Sequence, residues 1–350
     1  MSSTRSPLAP EGFPVLPPIP GITPRIARAR YKTWDRCDLT FVTLDPGTVV
    51  AGVLTQSRCP SPEVEWCRKA LVLGQARALV VNAGNSNAFT GDRGREAVEN
   101  LVARVATRLG CQPSDVFVAS TGVIGVPLPI DKSEAGLDAA FQADPCSWEA
   151  AAETIMTTDT FAKAAVTQAV IGDRTVNLVG IIKGSGMIMP DMATMLGFIF
   201  TDAAVEPGFL QAALAEANVK SFSCITVDSD TSTSDTVLAF ATGKAGNTPL
   251  NAIDDAGADA FQAALTDLCR QLAHLVGRPP RVARQAGRGA VAGVHLADHP
   301  LAQRFVLDAV GRLFHEQPVD GRRLRENELD NHGLWWGRRA RCSGSLAGPG

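Results

Sequence analysis

Residues 183–203, KGSGMIMPDMATMLGFIFTDA, place a threonine directly before an apolar run that is typical of a buried strand. A threonine hydroxyl is a weak nucleophile until a base lies beside it, and cleavage of the Ala193–Thr194 bond would supply one as the α-amino group of Thr194. The pKa of such an amine, about 7.7–8.0 in model peptides, suits it to accept a proton near neutral pH. The same residues also fit an ordinary strand after a glycine-rich turn, and spacing alone favours that simpler interpretation.

The elements that would position this threonine alternate between strands and helices, which indicates an α/β or α+β fold. Strands are predicted at 39–43, 49–54, 76–81, 116–119, 175–182, 195–201 and 224–227, and helices at 94–109, 149–156, 207–219 and 258–276. Two of the strands run into polar loops that contain glycine, at 82–85 and 120–122. We therefore expect a shared edge where a site could form.

The composition of the chain argues against several classes of ligand. The chain has 350 residues, of which 45% are apolar, enough for one large or two ordinary domains with a real core. A formal charge of -3 gives no basic surface for nucleic acid or anionic lipid, and the five histidines are too scattered to indicate a metal site. Small polar substrates remain the expected ligands.

The cysteines and the apolar stretches indicate a cytoplasmic protein. The eight cysteines are widely spaced and form no CxxC pair, so buried free thiols in a reducing compartment are favoured over disulfides or a zinc site. The N-terminus has no apolar leader segment, and no stretch reaches the length of a membrane span. We expect neither secretion nor membrane insertion.

Five ordered blocks between about residues 25 and 276 resemble the ornithine acetyltransferase (glutamate N-acetyltransferase) family of arginine biosynthesis. The blocks are 81–91, 120–125, 155–160, 183–203 and 225–233. Five blocks in order are far more specific than any one motif. The resemblance implies a layered helix–sheet sandwich of the self-cleaving ornithine acetyltransferase type.

The resemblance also implies a covalent mechanism. Thr194 matches the nucleophile, first of self-cleavage at Ala193–Thr194 and then of acetyl transfer. Its Oγ would take the acetyl group from N2-acetylornithine, release ornithine, and pass the group to glutamate. Thr121 and Gly122 match the residues that stabilise the oxyanion of each half-reaction, although alone they also fit a strand-ending turn.

The substrate contacts implied by the resemblance are Thr157, Lys183 and Thr194. A cation at Lys183 would pair with the amino acid carboxylate that both substrates possess, whereas a lone lysine beside a glycine is more often solvated. No cofactor is implied, and acetyl-CoA would enter only as a second acetyl donor. The resemblance further implies that the two cleaved chains, α and β, stay together as a heterotetramer of two of each.

The chain is expected to have four parts: a proline-rich arm at 1–24, an α-chain at 25–193, a β-chain core at 194–276 and a divergent arginine-rich region at 277–350. The last part contains no lysine, and Gly277-Arg278-Pro279 stands where the family has an acidic segment with a substrate-binding glutamate. The family's C-terminal asparagine and serine or threonine contacts also have no convincing match. A basic interaction tail, a reading-frame change and a segment that does not fold natively all fit this composition.

Three functions therefore remain open from the sequence. The five blocks favour an N-acetylornithine:glutamate acetyltransferase. An amidohydrolase could use the same N-terminal threonine, because the nucleophile alone does not select the acceptor. The third is a catalytically impaired product that lacks part of its substrate pocket.

Overall fold

The computed structural model describes residues 5–185, 195–225 and 232–277. Within these residues the strands are β1 (Ile22–Ala27), β2 (Leu39–Leu54), β3 (Gln75–Asn85), β4 (Val116–Val123), β5 (Lys163–Ile171), β6 (Arg174–Lys183), β7 (Leu196–Thr201) and β8 (Thr236–Ala241). The helices of this part are α1 (Pro62–Ala70), α2 (Gly91–Leu109), α3 (Ile130–Gln142), α4 (Trp148–Thr154), α5 (Pro207–Val219) and α6 (Ala258–Val276). The fold is a mixed α/β structure, as the sequence predicts.

All strands of the described residues join one sheet in the order β4-β3-β2-β8-β7-β6-β5, with β1 paired to β2. The β3–β4 and β7–β8 pairs are parallel, and the other pairs are antiparallel. Strand β2 spans both of the strands predicted at 39–43 and 49–54, with a shift in its register to β3 between Thr43 and Thr48. These residues therefore form one long strand inside the sheet, paired to β1, β3 and β8.

The sheet is strongly curved, so that distant strands face one another. Phe117 of β4 packs edge-on against Phe240 of β8, with 6.0 Å between ring centroids. Three strand spacings would separate these strands by about 14 Å in a flat sheet. Inside the curve, the first apolar core joins α1–α4 to strands of both ends of the sheet; a second core lies between the sheet and helices α5 and α6. The result is a layered helix–sheet sandwich.

Two of the helices were predicted to the residue, whereas α2 begins at Gly91 rather than at 94, and α1 and α3 were not predicted. Helices α5 and α6 have the predicted bounds, and α2 ends before Gly110, whose φ of +63° provides the expected left-handed cap. Helix α4 covers Trp148–Thr154 rather than 149–156. The strand predicted at 224–227 is wrong at its start, because Phe222–Cys224 form a short 3-10 turn; residues 226 and 227 lie outside the described residues.

Two predicted loops are strand instead. Residues 82–85 and 120–122 continue β3 and β4, because the parallel pairing persists through Asn82–Ser120 and Gly84–Gly122. Gly122 has φ of +136°, and a Cβ atom placed on it would lie 2.3 Å from the carbonyl carbon of Gly84. Only glycine permits this close approach of the two backbones. The polar residues that were expected on loops are therefore held by the sheet.

The described cysteines are all free thiols: Cys67 and Cys269 are buried, and Cys59 is exposed. Cys342 lies outside the described residues. No helix of the described part is long and apolar enough to cross a membrane. Among the same residues, no group of three or more histidine, cysteine or acidic side chains is placed to hold a metal ion.

Candidate active site

A cleft of about 400 Å³ opens where the ends of β4 and β6 meet the start of β7. Its lining includes Thr121 and Gly122 from β4, Lys183 from β6, and Met195 and Asp235 at the starts of the next two strands. This volume suits a small organic substrate. Thr121, Gly122 and Lys183 lie at strand ends, so the sheet fixes their positions, while residues 57–59 and 232–234 contribute polar groups from loops.

A hydrogen bond across the curve of the sheet joins two of these residues. Lys183 Nζ donates to Thr121 Oγ1 at 2.8 Å, and both side chains are buried. Their strands are five spacings apart in the sheet order, about 24 Å if the sheet were flat. The curvature therefore brings the cation and the hydroxyl together in one cleft.

Asp235 brings a buried carboxyl to the same cleft. Its Oδ1 accepts the backbone N–H of Met195 at 3.1 Å, while its Oδ2 makes no hydrogen bond to any described residue. Burial raises the pKa of Asp235 to about 7, although the Met195 bond, the nearby Ser232 hydroxyl and the charge of Lys183 oppose the rise. A carboxyl with this pKa can exchange a proton near neutral pH.

A buried ion pair between Asp159 and Lys163 lies close to Lys183. Asp159 pairs with Lys163 and also accepts the backbone N–H of Gly184 at 2.8 Å. Burial alone would raise the pKa of Asp159, but Lys163 and Lys183 hold it below its usual value. Burial in turn lowers the pKa of the Lys183 ammonium, against the attraction of Asp159 and Asp235. The site thus contains two buried lysines close to one ionised carboxylate.

A third buried carboxyl, that of Glu63, contacts Ser120, the residue that precedes Thr121. Ser120 Oγ lies 2.7 Å from Glu63 Oε1 and also contacts Asn82 Oδ1, while Asn87 Nδ2 donates to the same Glu63 oxygen. A hydroxyl has one proton, so it can donate to only one of these two oxygens. Protonated Glu63 would supply the second proton, and burial does raise its pKa. This network joins α1 to β3 and β4.

The structure brings three of the predicted site residues together, namely Thr121, Gly122 and Lys183. Thr157 instead lines a separate cavity of about 820 Å³ that also includes Arg36 and Asp159. Its backbone N–H donates to Asp159 Oδ2 at 3.3 Å, so it contacts the ion pair close to Lys183 rather than the cleft. Ala193 and Thr194 lie outside the described residues.

Sequence reasoning did not select Asp235, Asp159 or Glu63. Asp235 closes the polar run 228–235, whose residues fit a solvated loop as well as a turn at the mouth of a site, so no single acid could be selected from it. Glu63 is in the first turn of α1, a position where exposed acids are common. Asp159 offered one signal, because Lys163 follows it at a spacing of four residues.

Comparison with known proteins gives consistent results. A model of the ArgJ family matches residues 25–295. The "Arginine biosynthesis bifunctional protein ArgJ" of Zymomonas mobilis is 62% identical over 278 residues, covering 79% of this chain and 68% of that protein. The protein of the same name from Bradyrhizobium diazoefficiens is 47% identical over 290 residues, covering 81% and 70%. The crystal structure of ArgJ from Bacillus halodurans is 29% identical with a TM-score of 0.45, over 50% of this chain and 92% of that one.

These sequence matches define an acyltransferase of arginine biosynthesis. The chain belongs to the ArgJ family, whose model covers most of its length. The resemblance seen in the five sequence blocks is thereby confirmed.

Proposed function

We propose that the chain transfers the acetyl group of N2-acetylornithine to glutamate through an acetyl ester on Thr194. Self-cleavage at Ala193–Thr194 comes first, because it frees the α-amino group that then serves as base for the hydroxyl. The substrates are small amino acids, and the chain itself supplies the nucleophile, so the reaction involves no cofactor. The geometry that supports this proposal is that of the cleft.

The observation that carries the proposal is the position of Met195. Its side chain is buried and it lines the cleft together with Thr121, Gly122 and Lys183. Thr194 is joined to Met195 by a peptide bond, so the carbonyl carbon of the predicted nucleophile is bonded to an atom of this cleft. Such proximity favours an intramolecular first step and a shared oxyanion site for the second.

Each half-reaction passes through a tetrahedral intermediate that carries a negative oxygen. Thr121 and Gly122 would donate hydrogen bonds to it, and removal of one such donor typically lowers the rate roughly 100- to 1,000-fold. In the first half-reaction the Thr194 oxygen bonds to the acetyl carbon and the bond to the α-nitrogen of ornithine breaks, with the hydroxyl proton passing to that nitrogen. Glutamate then reverses the sequence as acceptor.

Product analysis of the purified protein tests the proposal. With N2-acetylornithine and glutamate together, we expect equal amounts of ornithine and N-acetylglutamate. Thr194→Ala should form neither product, because it lacks the hydroxyl that carries the acetyl group. Exposed Thr107, on α2, provides a matched control, and Thr107→Ala should retain the wild-type rate.

The same assay separates the alternatives. Release of free acetate at one rate with and without glutamate would identify an amidohydrolase. A chain that folds but neither cleaves nor forms product would identify the impaired form, which the divergent residues 277–350 make a specific alternative.

The acetyl donor and the assembly of the cleaved chains are also part of the proposed function. Because the curated relatives are called bifunctional, acetyl-CoA is the second donor to test with glutamate. We propose that the cleaved α- and β-chains remain associated, as two of each. The cytoplasmic location and the four-part division of the chain stay predictions.

A further inference from the structure

The bond between Lys183 and Thr121 has a fixed direction when the lysine is charged. An ammonium group has three N–H donors and no acceptor, so at 2.8 Å the Thr121 oxygen must accept. A threonine hydroxyl carries one proton of its own, which therefore remains available for another partner. Among the described residues, Thr121 Oγ1 has no second hydrogen bond that would take this proton.

The Thr121 hydroxyl can donate its remaining hydrogen bond to a ligand in the cleft. Thr121 lines the cleft, and only 7% of its surface is exposed. Its backbone is held in β4, which pairs with β3. Lys183 occupies one side of the hydroxyl oxygen, which limits the directions in which the O–H bond can point. A ligand oxygen in the cleft would meet a donor rather than an acceptor.

The charges around Lys183 bear on whether it stays an ammonium. Burial and Lys163 disfavour the charge, whereas Asp159 and Asp235 favour it. An uncharged amine could accept the Thr121 proton and withdraw it from the cleft. The direction of the bond, and hence the polarity of the cleft, thus depends on the proton held by Lys183.

We infer that Lys183 is a positioning residue for the oxyanion site: its ammonium fixes the Thr121 hydroxyl as a donor to the acetyl carbonyl oxygen. This inference rests on the proposed function, in which Thr121 stabilises the oxyanion. It differs from a contact between Lys183 and the substrate carboxylate. A carboxylate contact acts mainly on KM, whereas a residue that orients the oxyanion donor acts mainly on kcat.

A double-mutant cycle tests the inference, with kcat and KM measured for N2-acetylornithine and glutamate. The variants are Thr121→Ala, Lys183→Met and their combination. Lys220→Met, at the exposed residue that directly follows α5, is the control. We expect Thr121→Ala to lower kcat roughly 100-fold or more, and Lys183→Met to approach the same loss with little change in KM. In the Thr121→Ala background, Lys183→Met should cause almost no further loss, because the two residues act as one unit.

Lys183→Gln provides a second variant should the buried methionine prevent folding. Its amide can donate or accept, so it should lower kcat less than Lys183→Met and again have no effect without the Thr121 hydroxyl. The rate of self-cleavage, followed on denaturing gels, gives a second readout that uses the same oxyanion residues. Circular dichroism of each variant reports its folding.

The outcomes distinguish failure of the role of Lys183 from failure of the proposed function. A rise in KM alone, or losses in kcat that multiply independently, would overturn the role of Lys183 and leave the proposed function intact. Unchanged kcat and cleavage in Thr121→Ala would remove Thr121 from the oxyanion site, and the inference with it. A wild-type chain that neither cleaves nor transfers acetyl would overturn both.

Discussion

Asp235 Oδ1 accepts the backbone N–H of Met195, the residue that directly follows the predicted nucleophile Thr194. The carboxyl is fully buried, and its second oxygen has no hydrogen-bond partner among the described residues. An ionisable group is thus fixed beside the start of β7. Its protonation should influence both the stability of the fold and the local charge of the cleft.

The first prediction concerns stability and pH. Burial raises the pKa of Asp235 from 3.8 to about 7, so between these values the folded state holds a proton that the unfolded state has released. Stability should therefore fall as pH rises through this window. Asp235→Asn keeps an oxygen for the Met195 N–H and cannot ionise. The free energy of unfolding of this variant, relative to wild type, should therefore increase from pH 4 to pH 8 by up to about 4 kcal/mol.

Unfolding at a fixed protein concentration across this pH range measures the difference between the two proteins. Asp254→Asn, at an exposed position, serves as the control and should follow wild type. A gap between Asp235→Asn and wild type that stays constant with pH would show that Asp235 does not titrate in the folded protein.

The second prediction is self-cleavage. Cleavage at Ala193–Thr194 divides the 36.9 kDa chain into 193 and 157 residues, about 20 and 17 kDa. Denaturing gels should show both fragments, with Thr194 as the new N-terminus. Thr194→Ala should remain one chain because it has no hydroxyl, whereas Thr194→Ser should cleave more slowly. Efficient cleavage of Thr194→Ala in protease-free buffer would rule out the self-processing mechanism.

The third prediction follows from the use of one nucleophile for both half-reactions. If the acetyl group rests on Thr194 between donor and acceptor, the kinetics should be ping-pong. Mass spectrometry should then detect an acetylated β-chain when glutamate is withheld. Intersecting double-reciprocal lines would instead indicate a ternary complex and no covalent intermediate.

The fourth prediction compares two glycines with positive φ. In Gly122→Ala the new Cβ would lie 2.3 Å from the Gly84 backbone, whereas in Gly125→Ala, at φ of +81°, it would meet nothing within 4 Å. Backbone strain alone should cost Gly125→Ala roughly 1–2 kcal/mol. Gly122→Ala should lose several times as much, because β3 and β4 must separate at the cleft. Equal melting temperatures for the two variants would contradict this account.

The sequence predicted elements whose signals are local. Helices α5 and α6 have apolar residues at helical spacing, and Pro207 marks the start of α5, so their bounds could be inferred directly. The ends of β3 and β4 were mistaken for loops because their polar residues resemble turns. What keeps Asn82 and Ser120 extended is pairing between strands more than 30 residues apart, which no local pattern records.

The candidate site also has features that the sequence predicted and features that it did not. Family resemblance selected Thr121 and Lys183 individually, but nothing in the sequence indicated that one would donate a hydrogen bond to the other. That contact depends on the curvature of the whole sheet. Glu63 illustrates the opposite case, since an acid in a first helical turn is expected in solvent and is here buried against Ser120. Burial of a single charged residue depends on packing that the sequence pattern does not specify.

The order of strands in the sheet determines whether folding or cleavage comes first. Strands β7 and β8, which follow the proposed cleavage bond, are inserted between β6 and β2, which precede it. Neither fragment alone contains the whole sheet, and the first fragment lacks the strands that join its two parts, so folding must come before cutting. Dilution should not release the fragments, since two strand ladders would have to open together. Refolding of the cut protein should become second order in concentration, because its halves must meet by diffusion, whereas uncut Thr194→Ala should refold at a rate independent of concentration.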